Sequence, residues 1–157
     1  MGLFSSETFF DTISECSFRG KVRLIMPICP KNGRKRVQIF GYTIDLDLSN
    51  HVDQLVYLGC YESLNSLRFK RILKPRMTVV DVGANIGYFS LLAASLVGKE
   101  GRVISIEPCP ENYTVLEKAV SDNGLSHVSV YRYGLGDQTE ERKVFFSPQK
   151  DIKNRTA

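Results

Sequence analysis

The stretch that most constrains the fold is Met77-Thr-Val-Val-Asp-Val-Gly-Ala-Asn-Ile-Gly-Tyr-Phe-Ser-Leu-Leu-Ala-Ala-Ser-Leu-Val-Gly98. A β-branched run reaches Asp81, passes from Gly83 to Gly87, and gives way to apolar residues at helical spacing. This reads as strand, glycine turn, helix. Such a turn opens a binding crevice. Without a Cβ, Gly83 and Gly87 let a ligand approach the backbone, and the amides at the start of the next helix stand beside the Asp81 carboxylate.

Spacing selects among ligands. A dinucleotide turn needs G-x-G-x-x-G around a pyrophosphate, whereas Gly83-Ala-Asn-Ile-Gly87 places three residues between its glycines. That weakens an NAD-linked reading. Asp81 would repel a phosphate but can accept hydrogen bonds from an ammonium group, which suits an amino-acid-bearing nucleoside such as S-adenosylmethionine. The run Gly101-Arg-Val-Ile-Ser-Ile-Glu-Pro108 reads as the next buried strand and ends in Glu107, twenty residues beyond Gly87. An acidic side chain there can accept both hydroxyls of a ribose. Two carboxylates ending consecutive parallel strands fall on the edge where ligands bind, so the pair is more specific than either alone.

From about Asp45 to Asp137 the chain resembles the FkbM family of class I S-adenosylmethionine-dependent methyltransferases. The resemblance is carried by Gly59-Cys-Tyr-Glu62, Leu73-Lys-Pro75, Val80-Asp-Val-Gly-Ala-Asn-Ile-Gly-Tyr88, Glu107-Pro108 with Glu111-Asn112, and Gly134-Leu-Gly-Asp137. It implies methyl transfer to a hydroxyl of a small molecule, natural product or sugar. It also implies a cofactor set in which Asp81 and the Gly83–Gly87 backbone, with Asn85 and Glu62, hold the methionine end and Glu107 holds the ribose. Pro108 would lie against the adenine, with Leu135 and Asp137 at its edge. No catalytic residue is assigned.

The expected fold is α/β: a Rossmann-like class I methyltransferase sheet, truncated after its third core strand and preceded by an N-terminal helix and a β-hairpin. Residues 1–50 are read as that extension, 51–147 as a partial cofactor-binding domain, and 148–157 as a polar tail. Phe9, Phe10, Ile13 and Cys16 mark a short helix over 5–16. Val22–Ile28 and Val37–Leu48 read as two strands joined through Asn32-Gly33. Asp45–Ser49 leads into a connector. Residues 62–73 read as an amphipathic helix carrying Leu64, Leu67, Ile72 and Leu73, stopped by Lys74-Pro75. A helix follows from Pro110 to Asp122, ended by Asn123-Gly124. His127–Tyr133 is the third core strand, and Lys143–Phe146 one more short strand.

Because the polar stretch from Ser147 to Ala157 supplies no fourth core strand, the Asp81 strand becomes a sheet edge and the acceptor side is missing. The sequence therefore reads as a fragment of a longer enzyme, with two rescues: a homo-oligomer, or a non-catalytic cofactor-binding or assembly module. A formal charge of +4 is too mild for a nucleic-acid partner. No apolar run is long enough for a membrane span. The separated Cys16, Cys29, Cys60 and Cys109 fit reduced thiols in the cytoplasm better than a disulfide frame or metal site. His51 and His127 read as isolated surface residues. The basic run Lys31, Arg34, Lys35 and Arg36 reads as a solvated loop. The myristoylation-like Met1-Gly-Leu-Phe-Ser-Ser6 and the sequons at Asn112 and Asn154 carry no weight beyond their patterns.

Overall fold

The computed structural model describes residues 21–138, 140, 141 and 143. The expected helix over 5–16 and the strand Lys143–Phe146 lie outside the described residues, apart from Lys143. In chain order the elements are α1 (Lys21–Ile25) with a 3-10 turn (Met26–Ile28), β1 (Arg34–Ile39), β2 (Tyr42–Asp47), α2 (His51–Tyr57), α3 (Ser63–Ile72), β3 (Thr78–Val82), α4 (Tyr88–Val97), β4 (Arg102–Ile106), α5 (Pro110–Asp122) and β5 (Val128–Tyr131).

The β3, β4 and β5 strands form a parallel sheet in that order, so β3 is an edge among the described residues. This is the expected α/β arrangement of strands joined by crossover helices. Alternation gives the sheet two faces. Val79 and Asp81 of β3, Val103 and Ser105 of β4, and Val128 of β5 share the face covered by helices, where Val79, Val103 and Val128 pack in one core with Leu91, Ala94 and Val97 of α4. The other face carries two registered rows, Val80–Ile104–Ser129 and Val82–Ile106–Tyr131. Val80 and Val82 remain 55% and 57% exposed.

The hairpin is built differently from the sequence expectation. Val22–Ile28 is helical, because Ile25 and the following Cys29, four apart, are buried and packed with Leu58, while Val22, Leu24 and Ile28 of the apparent alternation face solvent. The strand run folds back within itself instead. Ile39 pairs with Tyr42 across Phe40 and Gly41, whose φ values of 55° and 83° are both positive, as a tight hairpin turn of this hand requires. Phe40 is an unusual residue there, and its ring packs edge-on against Tyr88 at 5.0 Å.

The hairpin is fastened to the sheet's helical layer. Ile44, Leu46 and Leu48 enter the common core with Leu91, Val97 and Val103. Asn123 imitates a strand partner: its Oδ1 accepts the Thr43 amide at 2.8 Å, and its Nδ2 donates to the Thr43 carbonyl at 2.7 Å. Arg36, expected in a solvated loop, lies in β1. It makes a two-pronged pair with Asp45 at 2.7 and 2.9 Å and reaches Asp122 at 3.1 Å.

The connector after Asp45–Ser49 contains helix α2. Asn50 caps it by accepting the Val52 amide at 2.8 Å, and Asp53 reaches back to accept the Asp47 amide at 2.7 Å. Asp53 is buried and its Oδ1 has no partner, so burial, first among the causes, pushes its carboxyl up to about 6. The consequence for stability has a definite sign. Below about pH 4 Asp53 is protonated in both states; between about 4 and 6 the unfolded chain loses its proton while the folded chain keeps it; above about 6 the penalty is complete. Folding therefore loses on the order of 3 kcal/mol at this residue as pH rises through that window. Urea denaturation of Asp53→Asn and wild type is expected to show the difference moving in the variant's favour between pH 4 and 7; a pH-independent difference would refute it.

Helix α3 also departs from expectation. Leu64, Leu67 and Ile72 are 74%, 51% and 65% exposed, while the buried residue is Ser66. Ser66 is drawn inward by hydrogen bonds to the Glu62 carbonyl at 3.1 Å and the Tyr88 hydroxyl at 3.0 Å. The inward side of α3 is the Ser66, Phe69 and Leu73 stripe rather than Leu64, Leu67 and Ile72: Phe69 packs on Phe89 with ring centroids 4.8 Å apart, and Leu73 packs against the core.

Candidate functional site

The carboxyl ends of β3 and β4 bring Asp81, the glycine turn and Glu107 together. Both Gly83 and Ala84 donate their amides to the Ile106 carbonyl, at 2.9 and 3.0 Å, which ties the turn to the neighbouring strand. Asn85 adopts φ 53°, a conformation its short polar side chain tolerates, with its Oδ1 accepting the Ile86 amide at 2.8 Å.

The two glycines have separate reasons. A Cβ added at Gly83 (φ 77°) would meet nothing within 4 Å, so that side of the turn is open to a ligand. One added at Gly87 (φ 97°) would lie 2.4 Å from Leu116 Cδ1 of α5. Gly87 thus allows α4 to start against α5, which gives its missing Cβ a packing reason of its own.

Glu107 is buried and clamps the site. Its Oε2 accepts the Asn85 amide at 2.7 Å and its Oε1 the Cys109 amide at 2.9 Å, so one carboxylate fixes both the glycine turn and the chain leaving β4. A carboxylate offers about four acceptor directions, so capacity remains for ligand hydroxyls. Pro108 lies between the two clamped segments and is half-buried.

Asp81 is held from below. The Ser90 hydroxyl donates to its Oδ2 at 2.6 Å, and the Ser105 hydroxyl donates to Ser90 Oγ at 2.8 Å. Burial raises the Asp81 carboxyl above its ordinary range; the Ser90 bond opposes this, and the Glu107 charge adds to it. Neither serine is evident from hydrophobic spacing. The available signal is Ser105 at an inward position of an otherwise apolar strand.

Tyr61 and Glu62 approach from the entry to α3. Burial pushes the Tyr61 phenol up, with the charges of Glu62 and Asp81 adding to it. Glu62 adopts φ 46° and accepts a 2.6 Å hydrogen bond from Asn65. Leu135 and Asp137 lie in the exposed stretch after β5; among the described residues no hydrogen bond links them to Glu107 or the turn.

Hollows of about 480 Å³ beside Pro75, Arg76 and Lys99, and of about 410 Å³ beside Tyr113, Tyr131 and Tyr133, include neither Asp81 nor Glu107. Among the described residues no group of three or more His, Cys, Asp or Glu side chains is placed to hold a metal ion, and no helix is long and apolar enough to cross a membrane. His51 opens α2 on the surface, while His127 is half-buried with its Nε2 unpartnered.

An amino-acid-bearing nucleoside fits this arrangement: Gly83 leaves backbone approach open, Asp81 can receive an ammonium group, and Glu107 can receive hydroxyls.

Residues 60–143 match the family Protein-L-isoaspartate(D-aspartate) O-methyltransferase (PCMT). A protein-L-isoaspartate O-methyltransferase of Methanococcus maripaludis (strain C5) is 26% identical over 96 residues, covering 57% of this chain and 44% of that protein. Protein-L-isoaspartate O-methyltransferase 1 of Arabidopsis thaliana is 51% identical over 39 residues, covering 25% of this chain and 17% of its own. Among solved structures, a SAM-dependent methyltransferase from Aquifex aeolicus is 29% identical, with a TM-score of 0.40 over 46% of this chain and 38% of that one. The chain spans less than half the length of these curated relatives. The FkbM resemblance and the matched family agree at the level of class I methyltransferases that use S-adenosylmethionine. The match covers more than half of the chain and includes Asp81, the glycine turn and Glu107, so the chain belongs to the Protein-L-isoaspartate(D-aspartate) O-methyltransferase family.

Proposed function

We propose that this chain is the S-adenosylmethionine-binding portion of an O-methyltransferase. The observation that carries the reading is the Glu107 clamp on Asn85 and Cys109, beside the open backbone of Gly83 and the half-buried carboxylate of Asp81. Asp81 and the Gly83–Gly87 backbone, with Asn85 and Glu62, hold the methionine end. Glu107 takes the ribose, Pro108 lies against the adenine, and Leu135 with Asp137 borders its edge. Residues 51–147 form this cofactor portion, with 1–50 as an extension and 148–157 as a polar tail.

Bound S-adenosylmethionine supplies an electrophilic methyl group; the chain's own contribution is orientation. The acceptor proposed is a protein carboxylate of the isoaspartyl kind that the relatives' names specify. The second reading is a hydroxyl of a small molecule or sugar, favoured by the FkbM-like set Gly59-Cys-Tyr-Glu62 and Leu73-Lys-Pro75. No described residue is assigned as a base.

Calorimetric titration is expected to give micromolar affinity for S-adenosylmethionine and S-adenosylhomocysteine, about 8 kcal/mol of binding free energy, and no heat with NADH. A folded chain that binds neither thioether nor sulfonium form would overturn the reading. It would leave a partner-dependent assembly module, for which the exposed Val80 and Val82 face is the available surface.

A further inference from the structure

We propose that Ser90 and Ser105 are positioning residues, a two-hydroxyl relay that holds the Asp81 carboxylate in its ligand-binding orientation. The inference deepens the cofactor reading and rests on it. Ser90 sits in the first turn of α4 and Ser105 in the middle of β4; both are 0% exposed, between the sheet and the helix. The bond directions are fixed by counting protons. Asp81 is acceptor-only when ionised, so the single Ser90 proton goes to Oδ2 at 2.6 Å. Ser90 Oγ is then left to accept, and Ser105 fills it at 2.8 Å.

Two hydroxyls in an otherwise apolar layer need a partner, because a buried unbonded hydroxyl is costly. Here both are satisfied through a chain that terminates on a carboxylate, where hydrogen bonds are strongest. The relay also holds one side of Asp81, leaving its remaining acceptor directions for a ligand ammonium. The other groups facing Asp81 are Glu107 from the end of β4, Tyr61 from the entry to α3, and the Ser90 backbone amide. Burial, and then the Glu107 charge, disfavour the ionised carboxylate, while the Ser90 hydroxyl and amide oppose them. A serine that merely filled space would leave the titration of Asp81 unchanged when its oxygen was removed.

The test uses the full chain without ligand and then with it. Carboxyl carbon NMR follows the Asp81 titration in wild type, Ser90→Ala, Ser90→Thr and Ser105→Ala. The Ser90→Ala midpoint is expected to rise by about one pH unit, Ser105→Ala by less, and Ser90→Thr to stay near wild type because it keeps the hydroxyl. Titrating S-adenosylmethionine across the Asp81 titration should show Ser90→Ala weaker by up to about tenfold at pH values below both midpoints, with the two chains converging as pH rises above them. An unchanged Asp81 midpoint in folded Ser90→Ala or, should that variant not fold, in Ser105→Ala overturns the relay. A shifted midpoint in a wild-type background that binds no S-adenosylmethionine keeps the relay and overturns the cofactor reading instead.

Discussion

Glu107→Ala is expected to abolish measurable S-adenosylmethionine binding and to lower stability by about 2–6 kcal/mol. Both effects come from one carboxylate. Its oxygens accept the Asn85 and Cys109 amides at 2.7 and 2.9 Å in a buried position, and alanine leaves both donors without their partner. An unsatisfied buried group costs about 1–3 kcal/mol, and two give the range above. The loss of binding in this variant therefore mixes a collapsed turn with a missing ribose contact. Glu107→Gln separates them. Its amide oxygen can keep one backbone donor, while its NH2 group faces the other donor unfavourably, so the expected stability loss is smaller, about 1–2 kcal/mol. Its cofactor affinity is expected to fall about 10- to 100-fold, because one acceptor for the ribose hydroxyls has become a donor. Urea denaturation and calorimetry on both variants check this. An alanine variant as stable as wild type would show that the clamp contributes nothing, and a glutamine variant with wild-type affinity would remove Glu107 from the ribose.

The residues that position the site were largely legible, because backbone demands write themselves into sequence. The β-branched run of β3 stops at Asp81, the glycine turn follows, and Glu107 ends the next apolar strand as the spacing predicts. Pro110 and Asn123-Gly124 mark the two ends of α5, with Gly124 at φ 60°. Legibility ends where alternation and helical spacing compete. Val22–Ile28 alternates like a strand, yet the buried pair Ile25 and Cys29 lies four residues apart. The hairpin turn was hidden because Phe40 rarely takes positive φ, although Gly41 beside it does so freely. Helix α2 announced itself only through the Asn50 cap. Counting leucines alone turns α3 the wrong way, because its inward side is set by Phe69 on Phe89 together with the Ser66–Tyr88 hydrogen bond. The serines beneath Asp81 escaped for a related reason: a hydroxyl has no period, and its importance depends on which group it meets in three dimensions.

Gly87→Ala should cost about 2–5 kcal/mol, whereas Gly83→Ala should cost about 1–2 kcal/mol, and the contrast separates packing from ligand access. Both residues hold positive φ, 97° and 77°, so a side chain at either adds backbone strain of about 1–2 kcal/mol. Only at Gly87 does the new methyl also collide: it would lie 2.4 Å from Leu116 Cδ1, and Leu116 is fully buried in α5. Overpacking adds about 1–3 kcal/mol unless the leucine shifts. Leu116→Ala relieves that contact, so Gly87→Ala should be less damaging in its background than in wild type, by about 1 kcal/mol or more in a double-mutant cycle. At Gly83 the methyl enters open space on the proposed ligand side. Its effect should therefore fall on binding: a folded Gly83→Ala chain should lose at least tenfold in S-adenosylmethionine affinity, about 1.4 kcal/mol, with little change in cooperativity of unfolding. Equal stability losses at the two glycines would dismiss the Leu116 contact, and full affinity in Gly83→Ala would move the ligand away from the turn.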